Sequence, residues 1–436
     1  MARRPAHEPL NVFLNARLVG RLRREAGGAI DFTYDPSWLD WANTMPVSLS
    51  LPLRENRYVG EPVVAVFDNL LPDSEGLRRR IAERVRADGT DAFSMLTALG
   101  HDCVGALQFL PEGEDPGPAG VVAGKPVDTN EIARLLGDLA SAPLGVGEDE
   151  DFRISIAGVQ EKTALLYWKS KWQKPSGTAA TTHIFKPQIG RLPNGIDLSY
   201  SVENEYFCAK LTAALGLPSA NVSMENFGSK RALIVERFDR LWTRDGRLLR
   251  LPQEDCCQAL SVPPTRKYEA DGGPGLKDIL TLLKGSDEPD KDQTIFLRGL
   301  IVFWLLGATD GHAKNFSVFL LPGARYRSAP LYDVISAQPS LDACQIRRNQ
   351  TKLAMAVGDN RHYVVETVQP RHFLQTAAKS GIGASVVKPL FADVLEKSPG
   401  AIQGVLDDLP KGFPEQIAIS ITNGFKSRLR ILEAAA

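Results

Sequence analysis

The chain is poor in the features that would place it outside ordinary folded proteins. Its 436 residues include five cysteines, Cys103, Cys208, Cys256, Cys257 and Cys344, with no CxxC spacing. An odd number closes no disulfide framework, so a reducing, cytoplasmic setting is expected. The six histidines, His7, His101, His183, His312, His362 and His372, never stand at i, i+4 with a second type of ligand, which argues against a zinc site. Charge of one sign is not in excess: 51 Lys and Arg face 52 Asp and Glu, a net charge of −1. No global field therefore draws the chain to nucleic acid or a membrane, and any such contact is local. The most apolar run, Ile295 to Leu306, spans 12 positions and contains Arg298, short of the roughly 20 residues a bilayer needs. The opening MARRPAHEPLNVFLN turns polar where a secretion signal would turn apolar. Internal repeats and low-complexity tracts are likewise missing.

What is present is 43% hydrophobic and 24% charged residues, the balance of a folded, water-soluble protein. At about 150 residues per domain, two or three domains are expected. Residues 10 to 57 read as short strands, LNVFLN, RLVGRLRR and AIDFTYD, in an antiparallel sheet. Asp73 or Ser74 can then cap a helix whose Leu77, Ile81 and Val85 follow helical spacing. PEGEDPGPAG from Pro111 to Gly120 is an exposed connection, a helix follows around Glu131 to Ala140, and the acidic GEDED ends a linker at Asp151. The middle third returns to strand-like runs, ISIAG, TALLYW, THIFKP and ALIVERFD. Beyond Pro252 the pattern turns mostly helical around Phe296, Phe373, Val387 and Ile417. Strands first and helices after describe an α+β protein with two lobes, divided as 1–150, 151–255 and 256–436.

The strongest chemical signal directly follows the apolar run, in GATDGHAKNF from Gly307 to Phe316. Asp310 and Asn315 lie five positions apart, the spacing of the proton-accepting Asp and the Mg²⁺-holding Asn in a protein-kinase catalytic loop. Asp333, in PLYDVIS, follows where a second metal-binding carboxylate would stand, and hard oxygen donors suit Mg²⁺. The same Thr-Asp-Gly composition also makes a plain solvated turn, with His312 a hydrogen-bonding brace. Lys186 ends the apolar strand THIFKP, placed to meet ATP phosphates or to snorkel into solvent. Glu205 on a helix can pair with Lys186 or face water. Ser155 and Gly158 fall in a turn after which the backbone can approach an anion, although the segment fits neither GxxxxGK[ST] nor GxGxxG. The strand Arg231 to Asp239 runs into charge; as a connector between lobes its backbone at Glu236 and Phe238 would bond adenine while Asp239 faced ribose, and otherwise it merely ends at a turn.

Taken together, RISIAGVQEKTALL, THIFKPQIG, SVENEYFCAKL, ALIVERFDR, RLPQEDCCQAL, KYEADGGPG, GATDGHAKNFSVF and YDVISA, preceded by MPVSLSLPL and FDNLLPDS, closely resemble the HipA family of bacterial toxin kinases over essentially the whole chain. The resemblance implies a two-lobed protein-kinase-like α+β fold: a HipA-specific β-rich N-terminal subdomain over 1–150, an ATP-binding N-lobe-like region over 151–255, and an all-α C-terminal lobe with the catalytic loop over 256–436. It implies that Asp310 is the catalytic base and that Asn315 and Asp333 bind Mg²⁺. ATP would be held by Ala157, Gly158, Val159, Gln160, Glu161, Lys162, Lys186, Glu236, Arg237, Phe238, His312, Lys314, Asn315, Tyr332 and Asp333. Ser155 matches the serine that family members autophosphorylate, a modification that would eject its loop and switch the enzyme off. The implied partner is a dimeric HipB-type helix-turn-helix antitoxin, through which the toxin reaches operator DNA as a corepressor. The implied target is glutamyl-tRNA synthetase, whose phosphorylation stops translation and leads to growth arrest and persistence. Proline at Pro187 departs from the family pattern and removes a backbone donor beside Lys186. A small-molecule or lipid kinase would use the same Asp and Mg²⁺ ligands, and a catalytically idle corepressor would use neither.

Overall fold

The computed structural model describes residues 7–140, 143–145, 156–158 and 160–435. The chain forms two compact units, one comprising Met1–Pro187, Asn226–Thr265 and Val318–Tyr326, the other Gln188–Glu225, Arg266–Ser317 and Arg327–Ala436.

In the first unit the alternating N-terminal segments pair as expected. A five-stranded sheet runs in the order Tyr58–Val59, Ile30–Tyr34, Arg17–Arg24, Leu10–Leu14, Leu107–Pro111, and its neighbours are antiparallel. Its buried face carries Leu10, Val12, Leu22 and Phe32. The helices Glu61–Asp68, Glu75–Val85 and Ala92–Leu99 contribute Phe67, Ile81 and Leu96 to the same core. Phe67 fixes the layer spacing by meeting Phe32 and Phe109, each at 5.5 Å between ring centres. Ser74 caps the second of these helices by accepting the Leu77 N–H.

A six-stranded sheet follows in the order Val222–Phe227, Lys230–Glu236, His183–Pro187, Thr163–Trp168, Lys171–Pro175, Gly124–Pro126. The helix Thr129–Gly137, started by an Asp128/Glu131 capping box, buries Ile132 and Leu136 against Leu165, Phe185 and Ile234 of this sheet.

The second unit is built on helices Ser201–Ala214, Leu276–Leu283, Pro289–Leu306, Pro370–Lys379, Ala384–Asp407 and Glu415–Glu433. The apolar run read from the sequence is the last three turns of Pro289–Leu306, buried from Leu300 to Leu306. Arg298, which interrupts it, is neutralised by Asp393 and donates to the Leu215 carbonyl. Among the described residues no helix is long and apolar enough to cross a membrane. The expected all-α C-terminal lobe needs correcting in two places: Ser317–Leu321 and Arg325–Ser328 join Gln253–Asp255 in a three-stranded sheet, and Lys352–Val357 and His362–Val364 pair as an antiparallel hairpin. The run KLAMAV has four buried residues in succession, and a short continuous apolar run reads equally as buried helix or buried strand.

Between the capping and sheet elements of the first unit sits a carboxyl group taken fully out of water. Glu254 accepts the Leu49 N–H at 2.8 Å, and its other oxygen meets no partner among the described residues. Burial pushes its pKa from the ordinary 4.5 up to about 8, the hydrogen bonds from Ser48 and Leu49 opposing this only in part. Between pH 4.5 and 8 the folded chain therefore holds a proton that the unfolded chain releases, and this contribution to stability is lost as pH rises through 8. Thermal melts of Glu254→Gln and the parent chain from pH 5 to 8.5 should show the variant gaining in relative stability as pH rises.

Candidate active site

The catalytic-loop signal lies on a bend whose shape follows from its glycine and its amide. The helix Pro289–Leu306 stops at Gly307, which adopts φ +67°, and a Cβ there would lie 3.1 Å from the Arg428 guanidinium. Three residues on, the Asp310 main-chain carbonyl accepts two bonds: from the His312 N–H at 2.8 Å and from Asn315 Nδ2 at 2.7 Å. Only the amide nitrogen can donate to a carbonyl, so Asn315 keeps its oxygen Oδ1 for an electrophile. The Asp310 carboxylate is 45% exposed. Its Oδ1 accepts the Tyr268 hydroxyl at 2.5 Å and lies 3.8 Å from Nε2 of the buried His312, against whose ring Tyr268 packs edge-on at 4.8 Å.

Asp333 is brought to this bend by its neighbour. The Tyr332 hydroxyl donates to the Lys314 carbonyl at 2.9 Å and lies 2.6 Å from Ser317 Oγ, tying one segment onto the other. Two bonds of 2.8 Å join Asn204 to the Ser336 backbone, fixing the segment to the helix Ser201–Ala214 as well. Asp333 itself has φ +60°, a left-handed conformation that non-glycine residues rarely adopt and that is concentrated at functional sites. Asp310, His312, Lys314, Asn315, Tyr332 and Asp333 thus belong to one constellation in the second unit; Glu205, on the helix Ser201–Ala214 of the same unit, is buried.

The remaining expected residues lie in the first unit. Lys186 is buried on the strand His183–Pro187, paired with Leu233. Earlier in the same unit, Gly158 has φ +109°, and a Cβ there would sit 2.6 Å from Lys162 Nζ. Lys162 folds back to donate to the Ala157 carbonyl at 2.5 Å. Gln160 donates to the Pro187 carbonyl at 3.0 Å, so the residue that lost its donor serves as an acceptor. The loop leans on the N-terminal part of the same unit, where Asp73 N–H meets the Gly158 carbonyl at 3.1 Å and Arg80 pairs with Glu161 at 3.1 Å. Ser155 and Val159 lie outside the described residues.

At the end of the strand Lys230–Glu236 one expectation gives way. Asp239 does not face outward toward a ribose; it is buried and pairs with Arg237 at 2.8 Å and Arg240 at 3.1 Å. The Arg237 guanidinium is held in the same cluster, bonding also to Asp102 at 3.2 Å, and the Arg237 backbone N–H is taken by the Thr182 carbonyl at 2.9 Å. Only the main-chain carbonyl of Arg237 remains for a ligand. Burial opposes ionisation of Asp102, but Arg240, Arg250 and Arg237 outweigh it and hold its carboxyl below the usual range. The strand-end pattern ERFD gave no sign that two of its charges are internal, because Asp102, which binds Arg237, and Gly105, whose N–H bonds Asp239, lie far away in the sequence. Tyr268 was missed for a similar reason: KYEADGGPG stood out as a segment, yet nothing in it pointed to a residue 42 positions away.

Two family models match this chain, the HipA N-terminal domain over residues 10–110 and the HipA-like C-terminal domain over residues 154–402. The chain belongs to the HipA family. Y4mE, a predicted kinase of Sinorhizobium fredii, is 36% identical over 405 residues, 92% of either chain. The serine/threonine-protein kinase toxin HipA of Shewanella oneidensis is 29% identical over 366 residues, 80% of this chain and 78% of that protein. The solved complex of Shewanella oneidensis HipA with HipB and its operator DNA matches with a TM-score of 0.81 at 24% identity, over 98% of each chain. The α+β kinase-like fold is therefore established, and with it membership of a family of serine/threonine-protein kinase toxins.

The Tyr332 hydroxyl is a discrete part of this HipA-family site that can be removed alone. Tyr332→Phe should lower the urea midpoint by an amount equivalent to about 1–2 kcal/mol, with an unchanged m-value, since buried acceptors lose a donor while the ring remains.

Proposed function

We propose that this chain is the toxin of a toxin–antitoxin pair and transfers the γ-phosphate of ATP to serine or threonine hydroxyls of a protein. The observation that carries the reading is the Asp310 bend: an accessible carboxylate whose own carbonyl is clamped by the amide of Asn315. In the step, the acceptor oxygen bonds to the γ-phosphorus, the bond to the β,γ-bridging oxygen breaks, ADP leaves, and Asp310 takes the hydroxyl proton. The donor set fits a hard divalent cation, because Asn315 Oδ1 and the Asp333 carboxylate offer oxygen alone. Among the described residues no group of three or more His, Cys, Asp and Glu forms a site of another kind. Asn315 and Asp333 would hold a magnesium ion there, which would supply neutralisation of charge on the phosphates.

On this reading Lys186 meets the phosphates, the loop 157–162 contributes main-chain donors, and the backbone of Glu236 to Phe238 holds adenine. His312, Lys314 and Tyr332 keep the bend in shape, and Ser155 is the autophosphorylated residue. The N-terminal subdomain, nucleotide-binding region and helical lobe divide as 1–150, 151–255 and 256–436. The partner is a dimeric HipB-type antitoxin, with which the toxin acts on operator DNA as corepressor, consistent with a relative of the same fold having been solved with HipB and operator DNA. Glutamyl-tRNA synthetase is the proposed target, with arrest of translation and persistence as the result, in the cytoplasm.

Incubation with γ-labelled ATP and Mg²⁺ tests the reading. Label should enter the chain and a protein of cell extract. It should vanish with EDTA, disappear from the chain in Ser155→Ala, and fall by roughly 10²- to 10⁴-fold in Asp310→Asn. Label confined to small metabolites, or transfer that survives chelation, would overturn it.

A further inference from the structure

We propose that Tyr268 is the positioning residue of the phosphotransfer step, setting the rotation of the Asp310 carboxylate through its hydroxyl; the inference rests on Asp310 being the base. Four observations within the second unit carry it. The Tyr268 hydroxyl donates to Asp310 Oδ1 at 2.5 Å, a charge-assisted contact between a neutral donor and a carboxylate. The ring is set by its edge-on contact with His312, itself buried and joined to the bend through backbone bonds on both sides.

The Tyr268 backbone is fixed more firmly than a loop residue needs to be. Its carbonyl accepts from the Asp271 N–H at 3.1 Å and the Gly273 N–H at 2.9 Å, closing a tight turn. A Cβ on Gly273 would lie 1.9 Å from the Arg266 carbonyl oxygen, so only glycine lets the turn fold back this closely. Finally, the next residue staples the turn to the hairpin: Glu269 accepts the Ala356 N–H at 2.6 Å and pairs with Arg361 at 3.2 Å. Backbone turn, carboxylate staple and ring contact converge on the placement of one phenol oxygen.

A half-exposed carboxylate without such a partner rotates about its Cβ–Cγ bond and exchanges its oxygens in water. With Oδ1 held by a phenol on a fixed ring, it is always Oδ2 that meets the incoming acceptor hydroxyl. Orientation of this kind contributes to turnover and little to nucleotide binding, because Tyr268 acts through Asp310. Simple packing of the ring against His312 would instead be preserved by phenylalanine.

Tyr268→Phe is therefore the deciding variant, measured beside Asp310→Asn and the double variant in protein phosphorylation with Mg²⁺ and ATP. Tyr268→Phe should keep its melting temperature and a KM for ATP within about threefold, while kcat falls roughly 10- to 100-fold. In the Asp310→Asn background the same change should cost nothing further, since residues acting as one unit are not additive. A Tyr268→Phe enzyme with parental kcat, beside an inactive Asp310→Asn, sinks this inference and leaves the function standing. An Asp310→Asn enzyme with parental kcat sinks both.

Discussion

The second unit depends on one carbonyl, that of Asp310. A chain that has just left a helix through a left-handed glycine would ordinarily wander, and a carboxylate on it would sample many directions. Here the peptide oxygen before Gly311 receives a backbone N–H and a side-chain amide. Closing both bonds requires that the amide come from a residue about one turn further on, which is the physical content of the five-residue spacing. The same clamp turns the oxygen of Asn315 away from the carbonyl, so one hydrogen bond both shapes the bend and selects which atom can meet a cation. Asp333 joins through a separate tie, the Tyr332 hydroxyl, and its left-handed backbone persists because the segment on either side is fixed.

The first unit answers a different constraint. Two carboxylates, Asp102 and Asp239, and three guanidiniums, Arg237, Arg240 and Arg250, are buried together, so one positive charge is in excess inside the fold. Such clusters are a weak source of stability, because desolvation offsets most of the attraction. Their geometry is demanding, however: each guanidinium also donates to carbonyls, among them Cys103, Gly105 and Thr178. Only one register of the segments around 102, 178, 237 and 250 satisfies every donor. The cluster thereby fixes where the strand Lys230–Glu236 ends, and with it the main chain of Glu236 to Phe238.

Much of this was legible in the sequence because it is local. The Ser74 cap, the alternating strands near the N-terminus, the apolar helix before Gly307 and the Asp310–Asn315 spacing all arise from interactions between residues a few positions apart. The features that were not legible join distant positions. Asp239 reads as the last residue of a strand until Asp102 and the arginines are folded around it. Tyr268 meets Asp310 only after the turn at Gly273 is closed. The hairpin Lys352–Val357/His362–Val364 failed for another reason, since six apolar-rich residues carry no period that separates strand from helix.

The loop at 157–162 is where the N-terminal part of the first unit meets the proposed nucleotide-binding segment. The described contacts that hold the loop from that side are a main-chain bond from Asp73 and the pair Arg80–Glu161, whose partners are 49% and 35% exposed. An ion pair this open contributes about 0.2–1 kcal/mol and is screened by salt. Gly158, with its positive φ, offers no side chain to pack, and Lys162 is satisfied within the loop itself. Under the proposed autophosphorylation, a charge of about −2 on Ser155 would act beside a segment whose described contacts include this open, salt-screened ion pair.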